Sequence, residues 1–361
     1  MAGMVMVALS GGVDSAVAAL RLLDAGHRVE ALHMTNWEEP DGSCPAADDL
    51  RAAEEVANEL GLVLHRLNFA EEYRREVFES MLSECRAGRT PNPDVGCNRR
   101  IKFGACLRMA GRLGAEHLAT GHHARLERTG GSIRLLRGKD PKKDQSYFLH
   151  AVRGEAFEHC LFPVGELDKK QVRAMARRRG LPNYERPDST GICFVGERAF
   201  PQFIARYIPA RPGPIVTIAG DHAGEHAGLA AYTIGQRRGL RLGGIKRGGP
   251  EPWHVVRKDL NANALVVAQG HDHPLLYSRR VEVRGLRWIN GAPAAFAKGA
   301  RLSAKTRYRQ NDADCRARLL APDRCLVRFD TPQWAVTPGQ YLVFYNGQEC
   351  LGGGVIERAE A

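Results

Sequence analysis

The sequence predicts an α/β protein in three parts: a parallel-sheet α/β domain over residues 1–201, a small central domain over 202–276 and a C-terminal antiparallel β-barrel over 277–361. Three observations lead there. A strand-like apolar run over 5–9 ends in Ser10-Gly11-Gly12-Val13-Asp14-Ser15 and passes straight into a helical pattern that lasts to Gly26. Apolar residues then alternate between strand and helix spacing as far as about Leu126, as in a sheet built from strand–helix–strand units. Near Pro201 helical periodicity gives way to short strands separated by glycine and proline turns. A chain of 361 residues also exceeds what one core usually serves.

Taken in order, 29–34 reads as the second strand, and Leu50, Ala53, Ala57 and Leu60 as one helix face before Gly61. A third strand is expected over 62–69. The next helix runs from about Glu71, with Tyr73, Val77, Met81 and Cys85 on one face, and ends by Gly88. The segment RTPNPDVGCN, rich in proline and asparagine, reads as a loop; a helix over 101–113 and a strand over 116–121 follow. Ligands of parallel sheets lie beyond the carboxyl ends of the strands, where SGGVDS, His33-Met34, PNPDVGCN and TGHHA all fall. Past Pro201, strands are expected over 215–219, 229–234, 253–256 and 265–268. GQRRGLRLGGIKRGG, with five basic residues and six glycines, is expected to be a mobile loop. Strands over 281–288, 302–309, 313–320, 325–329, 341–345 and 352–357 supply the barrel.

Lys and Arg number 52 against 41 Asp and Glu, a formal charge of +11 that favours a polyanionic partner, nucleic acid first. No apolar run approaches ~20 residues and no charged-then-apolar leader opens the chain, so a soluble, cytoplasmic protein without a membrane partner is expected. Nine cysteines, none in a Cys-x-x-Cys pair, argue against a disulfide framework and against a structural zinc. Thirteen histidines include His122-His123 and His271-Asp272-His273, but no His-Glu-x-x-His; they read as loop or core histidines, not as a fixed metal site.

Four constellations bear on chemistry. Two glycines at a helix start, with the hydroxyls of Ser10 and Ser15, suit a nucleotide phosphate, although neither the Walker spacing nor that of a dinucleotide fold is present. Cys97 lies beside Arg99, Arg100 and Lys102 near a helix start, which favours its thiolate; Cys193 follows a Ser-Thr-Gly turn. On spacing alone each is also compatible with an inert packing cysteine. Lys139, Lys142, Lys143 and Gln145 precede a Tyr-Phe pair, and Lys305–Gln310 repeats this mixture; both are either solvated faces or surfaces for phosphates and unstacked bases.

SGGVDS resembles the pyrophosphate loop of the PP-loop ATP pyrophosphatases, enzymes that split ATP into AMP and pyrophosphate. Together with NPDVGCN (92–98), TGH (120–122), KDQSYFL (143–149), DSTGICFVGER (188–198), TIGQRRGL (233–240), RYRQ (307–310) and FDTPQWAVTPGQ (329–340), it resembles, over nearly the whole chain, the bacterial tRNA-specific 2-thiouridylase family, which places sulfur on C2 of the wobble uridine-34. That resemblance implies an adenine nucleotide alpha-hydrolase-like first domain, with ATP and Mg²⁺ as cofactors. It implies an ATP loop of Ala8, Leu9, Ser10, Gly11, Gly12, Val13, Asp14 and Ser15, with Met34 and Gly121 beside the nucleotide. Cys97 is implied as nucleophile and Cys193 as persulfide carrier, joined at some stage in a transient disulfide, with Asp94 and Asp14 as further catalytic groups. Asn92, Pro93 and Asp94 would face the target base, and Lys143, Asp144, Gln145, Arg307 and Tyr308 would touch tRNA. The implied partners are tRNA and a persulfide-delivering relay protein or cysteine desulfurase. Departures from the common pattern are Ala16 for a serine, Thr35 for a lysine, Gly96 for a leucine and His123 for a tyrosine. They bear on fine nucleotide or loop contacts.

The chemistry accounts for the residue types. The C2 oxygen of uracil leaves badly until AMP is transferred onto it, which calls for anion-holding donors; sulfur delivered from a persulfide calls for two thiols. A PP-loop ligase or amidotransferase acting on a small substrate would need the loop but neither thiol nor tRNA. A non-catalytic tRNA-binding protein would need none of Asp14, Cys97 and Cys193.

Overall fold

The structure, a computed structural model, describes residues 3–38, 47–188, 200–242, 249–293, 296, 299 and 301–360. In the first domain β1 (Val5–Ala8), β2 (Val29–Thr35), β3 (Leu64–Asn68) and β4 (His117–Ala119) are parallel neighbours. A hairpin of β5 (Ala124–Thr129) and β6 (Ser132–Arg137) then leaves the sheet, and β7 (Cys160–Leu161) returns to its edge, for an order of β3-β2-β1-β4-β7. Side-chain alternation along β1 divides the core in two. Val5 and Val7 pack with Ala53, Val56, Ala57 and the Val13–Asp24 helix, while Met6 and Ala8 face Tyr73, Val77, Met81 and Ile101.

The helix expected from Glu71 spans 70–86, with a π-turn at Arg74–Phe78. RTPNPDVGCN differs from its expected loop form. Asn92 caps a helix by accepting the Asp94 N–H at 3.1 Å, Pro93 occupies the first turn, and the helix continues through a π segment, Cys97–Cys106, to Arg112. Proline lacks only an N–H that the first turn leaves unpaired, so Asn-Pro here starts a helix where it was read as a loop signal.

The central domain is a sheet ordered β10-β11-β8-β9, from β8 (Gly213–Thr217), β9 (His222–His226), β10 (Trp253–Asp259) and β11 (Ala264–Gln269). The strand expected over 229–234 is instead a 3₁₀ turn, Leu229–Ala231, closed by Ala231 N–H to Gly228 O and Tyr232 N–H to Leu229 O. Of the glycine-rich basic loop, 243–248 lie outside the described residues.

Six strands close the barrel: β12 (Tyr277–Trp288), β13 (Arg301–Lys305), β14 (Ala313–Ala321), β15 (Arg324–Trp334), β16 (Tyr341–Asn346) and β17 (Glu349–Glu360), with β12 paired to both β15 and β17. β13 stops at Lys305, so RYRQ is a turn and not part of a strand; Gln310 N–H returns to Arg307 O. The β5–β6 hairpin, absent from the sequence reading, extends the barrel sheet from the first domain through Cys350↔Leu135 and Glu349↔Leu136.

The barrel is also fastened to the segment that precedes the Pro93 helix. Glu84 receives Arg89 at 2.6 Å and the barrel's Arg284 at 3.0 Å, Thr90 N–H donates to Pro338 O and Gln340 Nε2 donates to Thr90 O. Among the described residues no helix is long and apolar enough to cross a membrane.

Candidate active site

The loop after β1 is held by its own hydroxyls. Ser15 Oγ accepts the Ser10 N–H at 3.2 Å and donates to Gly12 O at 2.9 Å, and His33 Nδ1–H donates to Leu9 O at 2.8 Å. Burial keeps the His33 ring below its ordinary pKa, consistent with a neutral donor here. Gly11 has φ +77°, a left-handed conformation that turns the strand into the helix. Gly121 is required by space: a Cβ there would lie 2.5 Å from Ser15 N and 2.6 Å from the Asp14 carbonyl carbon. The loop therefore forms with the TGHHA turn pressed against the first turn of its helix. Met34, at the end of β2, packs against the core on the Ala8 face.

Asp14 is the electrostatic centre of this end of the sheet. Its carboxylate accepts His123 Nε2–H at 3.1 Å and takes Lys169 Nζ at 2.7 Å on both oxygens. Burial pushes its pKa up, but His123 and Lys169 outweigh burial and hold it below the usual carboxylate range. Lys169 also reaches Asp188 Oδ1 at 2.7 Å, where Lys143 and Arg173 converge at 2.5 and 3.0 Å. Against an opposing burial effect, Lys143 and Lys169 bring the Asp188 carboxyl down to about 2. On the loop's other flank Asn183 Nδ2 and Arg186 donate to Gly11 O, and Arg186 pairs with Asp49 at 2.5 Å. Lys169 and Arg186 thus touch this helix start, with Lys143 and Arg173 one step away on Asp188, an arrangement that suits a polyphosphate.

The second cluster lies at the start of the Pro93 helix. Asp94 is half-buried, and desolvation raises its carboxyl above the ordinary 3.8 while Lys102, two turns on, partly offsets the rise. Cys97 is buried, 5 % exposed, in the core cluster with Val77, Phe78 and Ile101. Asn98 Nδ2 donates to Phe148 O, so this helix touches the KDQSYFL segment, and Phe148 packs on Tyr308 of the barrel with ring centres 4.3 Å apart. Cys193 falls outside the described residues; Asp188, the first residue of its motif, is described.

Several residues expected at the RNA surface are engaged within the protein. Asp144 is 4 % exposed and accepts the N–H groups of Gly138 and Ser146, so in this structure its carboxylate anchors the protein's own backbone. Gln145 accepts His123 N–H at 2.9 Å, and Arg307 donates to Ile234 O at 2.7 Å and Thr337 Oγ1 at 2.6 Å, tying the central domain to the barrel. Lys143 pairs with Asp188 and Tyr308 packs on Phe148. Asn92 serves as the helix cap. The sequence reading missed Lys169, Arg173, Asn183 and Arg186, which lie in an ordinary basic helix and the segment after it. His123 stands in the sequence as one of a histidine pair and as a departure from the family's tyrosine, with no sign that it pairs with Asp14.

Family models match most of the chain in three blocks: a tRNA methyl transferase HUP domain over residues 3–197, a tRNA methyl transferase PRC-barrel domain over 201–269 and an aminomethyltransferase beta-barrel domain over 278–356. Relatives of nearly equal length carry a different name. The chain is 54 % identical to the tRNA-specific 2-thiouridylase MnmA of Pseudomonas aeruginosa (strain LESB58) over 359 residues, 99 % of this chain and 95 % of that one. It is 55 % identical to MnmA of Methylococcus capsulatus over 98 % and 96 % of the two chains, and 54 % identical to MnmA of Shigella boydii serotype 4 over 98 % and 96 %. With the PP-loop geometry and the three-part architecture, these matches establish that the chain belongs to the tRNA-specific 2-thiouridylase family.

Proposed function

We propose that this protein is a tRNA-uridine 2-sulfurtransferase that activates C2 of wobble uridine-34 with ATP and replaces its oxygen with persulfide sulfur carried on Cys193. The observation that carries this reading is the pairing, in one member of this family, of a cation-ringed phosphate loop with a second cluster that presents Asp94 and Cys97 from a capped helix start. The uracil O2 attacks the α-phosphorus of ATP, the bond to the β-phosphate oxygen breaks and pyrophosphate leaves. Asp94, held above the ordinary carboxylate pKa by desolvation, takes the N3 proton as O2 loses its carbonyl character and later returns it. The terminal persulfide sulfur then adds to C2 and AMP departs with the original oxygen. The Cys97 thiolate attacks the Cys193 sulfur, the persulfide S–S bond breaks, and 2-thiouridine and a Cys97–Cys193 disulfide remain. Two electrons and two protons from a thiol reductant restore the cysteines. Cys97 is buried, 5 % exposed, so the exchange takes place out of contact with bulk water.

Mg²⁺ bound to the triphosphate would screen its charge. Among the described residues no group of three or more His, Cys, Asp or Glu is arranged to hold a metal ion, and Asp14 is already paired with Lys169. ATP–[³²P]pyrophosphate exchange tests the first step. Exchange should require bulk tRNA and be lost in Asp14→Ala, with tRNA affinity within a few fold of wild type. Full exchange in Asp14→Ala would remove Asp14 from the mechanism, and exchange independent of tRNA would point to a different acceptor.

A further inference from the structure

Lys169 occupies an unusual position for a surface-helix lysine. It is the first residue of the Lys169–Arg179 helix, its N–H donates to Asp140 Oδ2 at 3.2 Å, and its side chain is only 12 % exposed. Its ammonium is shared between two carboxylates from distant parts of the chain, 2.7 Å from Asp14 and 2.7 Å from Asp188. Asp14 stands in the first turn of the phosphate-loop helix, so the ammonium lies at the helix start where an anion is best stabilised. Asp188 keeps Lys143 and Arg173 as partners if Lys169 leaves, whereas Asp14 keeps only His123. A polyphosphate at this helix start meets two carboxylates that repel it, and Lys169 is the cation those two carboxylates share.

We propose that Lys169 is a nucleotide-binding residue held in reserve. Without ATP it is divided between Asp14 and Asp188; an ATP phosphate takes it over, and the two carboxylates set ATP affinity by competing for it. The inference rests on the reading of the loop as an ATP site. It differs from a purely structural role in the sign of one effect, because removing a competing carboxylate strengthens nucleotide binding, whereas breaking a structural clamp weakens it. Asp188 therefore tunes the ATP site although it need not touch the nucleotide.

Titration calorimetry of the full-length chain with Mg-ATP tests this. Lys169→Met should raise the Kd for ATP by about 10- to 100-fold, the loss of one charge-assisted hydrogen bond. Lys169→Arg should recover most of that loss, and Asp188→Asn should lower the Kd by about threefold or more because the competing state is weakened. Asp188→Asn keeps the test decisive should Lys169→Met fail to fold. An unchanged Kd in folded Lys169→Met, or a raised Kd in Asp188→Asn, would overturn the inference while leaving the ATP site intact. Wild type that binds no ATP would overturn the functional reading along with it.

Discussion

At the residue scale Asp94 and Asp14 are two carboxylates driven in opposite directions by their surroundings. His123 and Lys169 hold Asp14 ionised, whereas desolvation with only distant help from Lys102 favours protonated Asp94. A carboxyl raised in the folded state binds its proton more tightly folded than unfolded, so ionising it costs stability as pH rises from the ordinary value through the folded one. Asp94→Asn should therefore melt higher than wild type at pH 7–8, with the difference closing toward about pH 4. In tRNA-dependent pyrophosphate exchange the same variant should be slower by about 10²-fold or more. Thermal melts across pH check the first effect; a lower melting temperature at pH 7–8 would show that Asp94 is ionised and paired. The sequence made the two aspartates visible as motif members. It concealed their electrostatics, because Lys169 lies 155 positions from Asp14 and meets it only through the fold.

At the scale of the element, the decisive feature is the helix that begins at Pro93. PNPDVGCN was legible as a functional segment but not as a helix, since Asn and Pro signal loops unless they fall at the cap and first turn, as they do here. Its start is fixed from both sides. Asn92 caps it, and Thr90 is tied to the barrel through Pro338 and Gln340. Asn92→Ala should cost about 0.5–2 kcal/mol and slow thiolation, whereas Asn92→Asp, which retains a capping oxygen, should lose little stability. Denaturant unfolding of the three proteins measures this. Equal stability in Asn92→Ala would mean that the cap is dispensable and that any activity loss reflects contact with the base.

On the scale of the whole molecule, the three-part architecture was readable because each part carries its own periodicity: buried parallel strands with helices, then short strands, then an alternating antiparallel set. The joins were not readable. The β5–β6 hairpin adds to the barrel sheet through backbone pairing with β17, and backbone pairing leaves no mark on side-chain pattern. The same limit applies to Arg307, which in the fold ties the central domain to the barrel, and to Asp144, which accepts backbone N–H groups within the first domain. The two clusters are linked by this assembly, since Asn98 of the Pro93 helix meets Phe148 beside Tyr308. On the proposed function, this assembly couples ATP cleavage to sulfur insertion at one tRNA base. Nucleoside mass spectrometry of tRNA incubated with the protein, Mg-ATP and a cysteine desulfurase with cysteine tests it most directly. 2-Thiouridine is expected at position 34, formed only with ATP and absent with Asp14→Ala, Cys97→Ser or Cys193→Ser; 2-thiouridine formed without ATP or by Cys193→Ser, or none formed by wild type with every component present, would contradict this function.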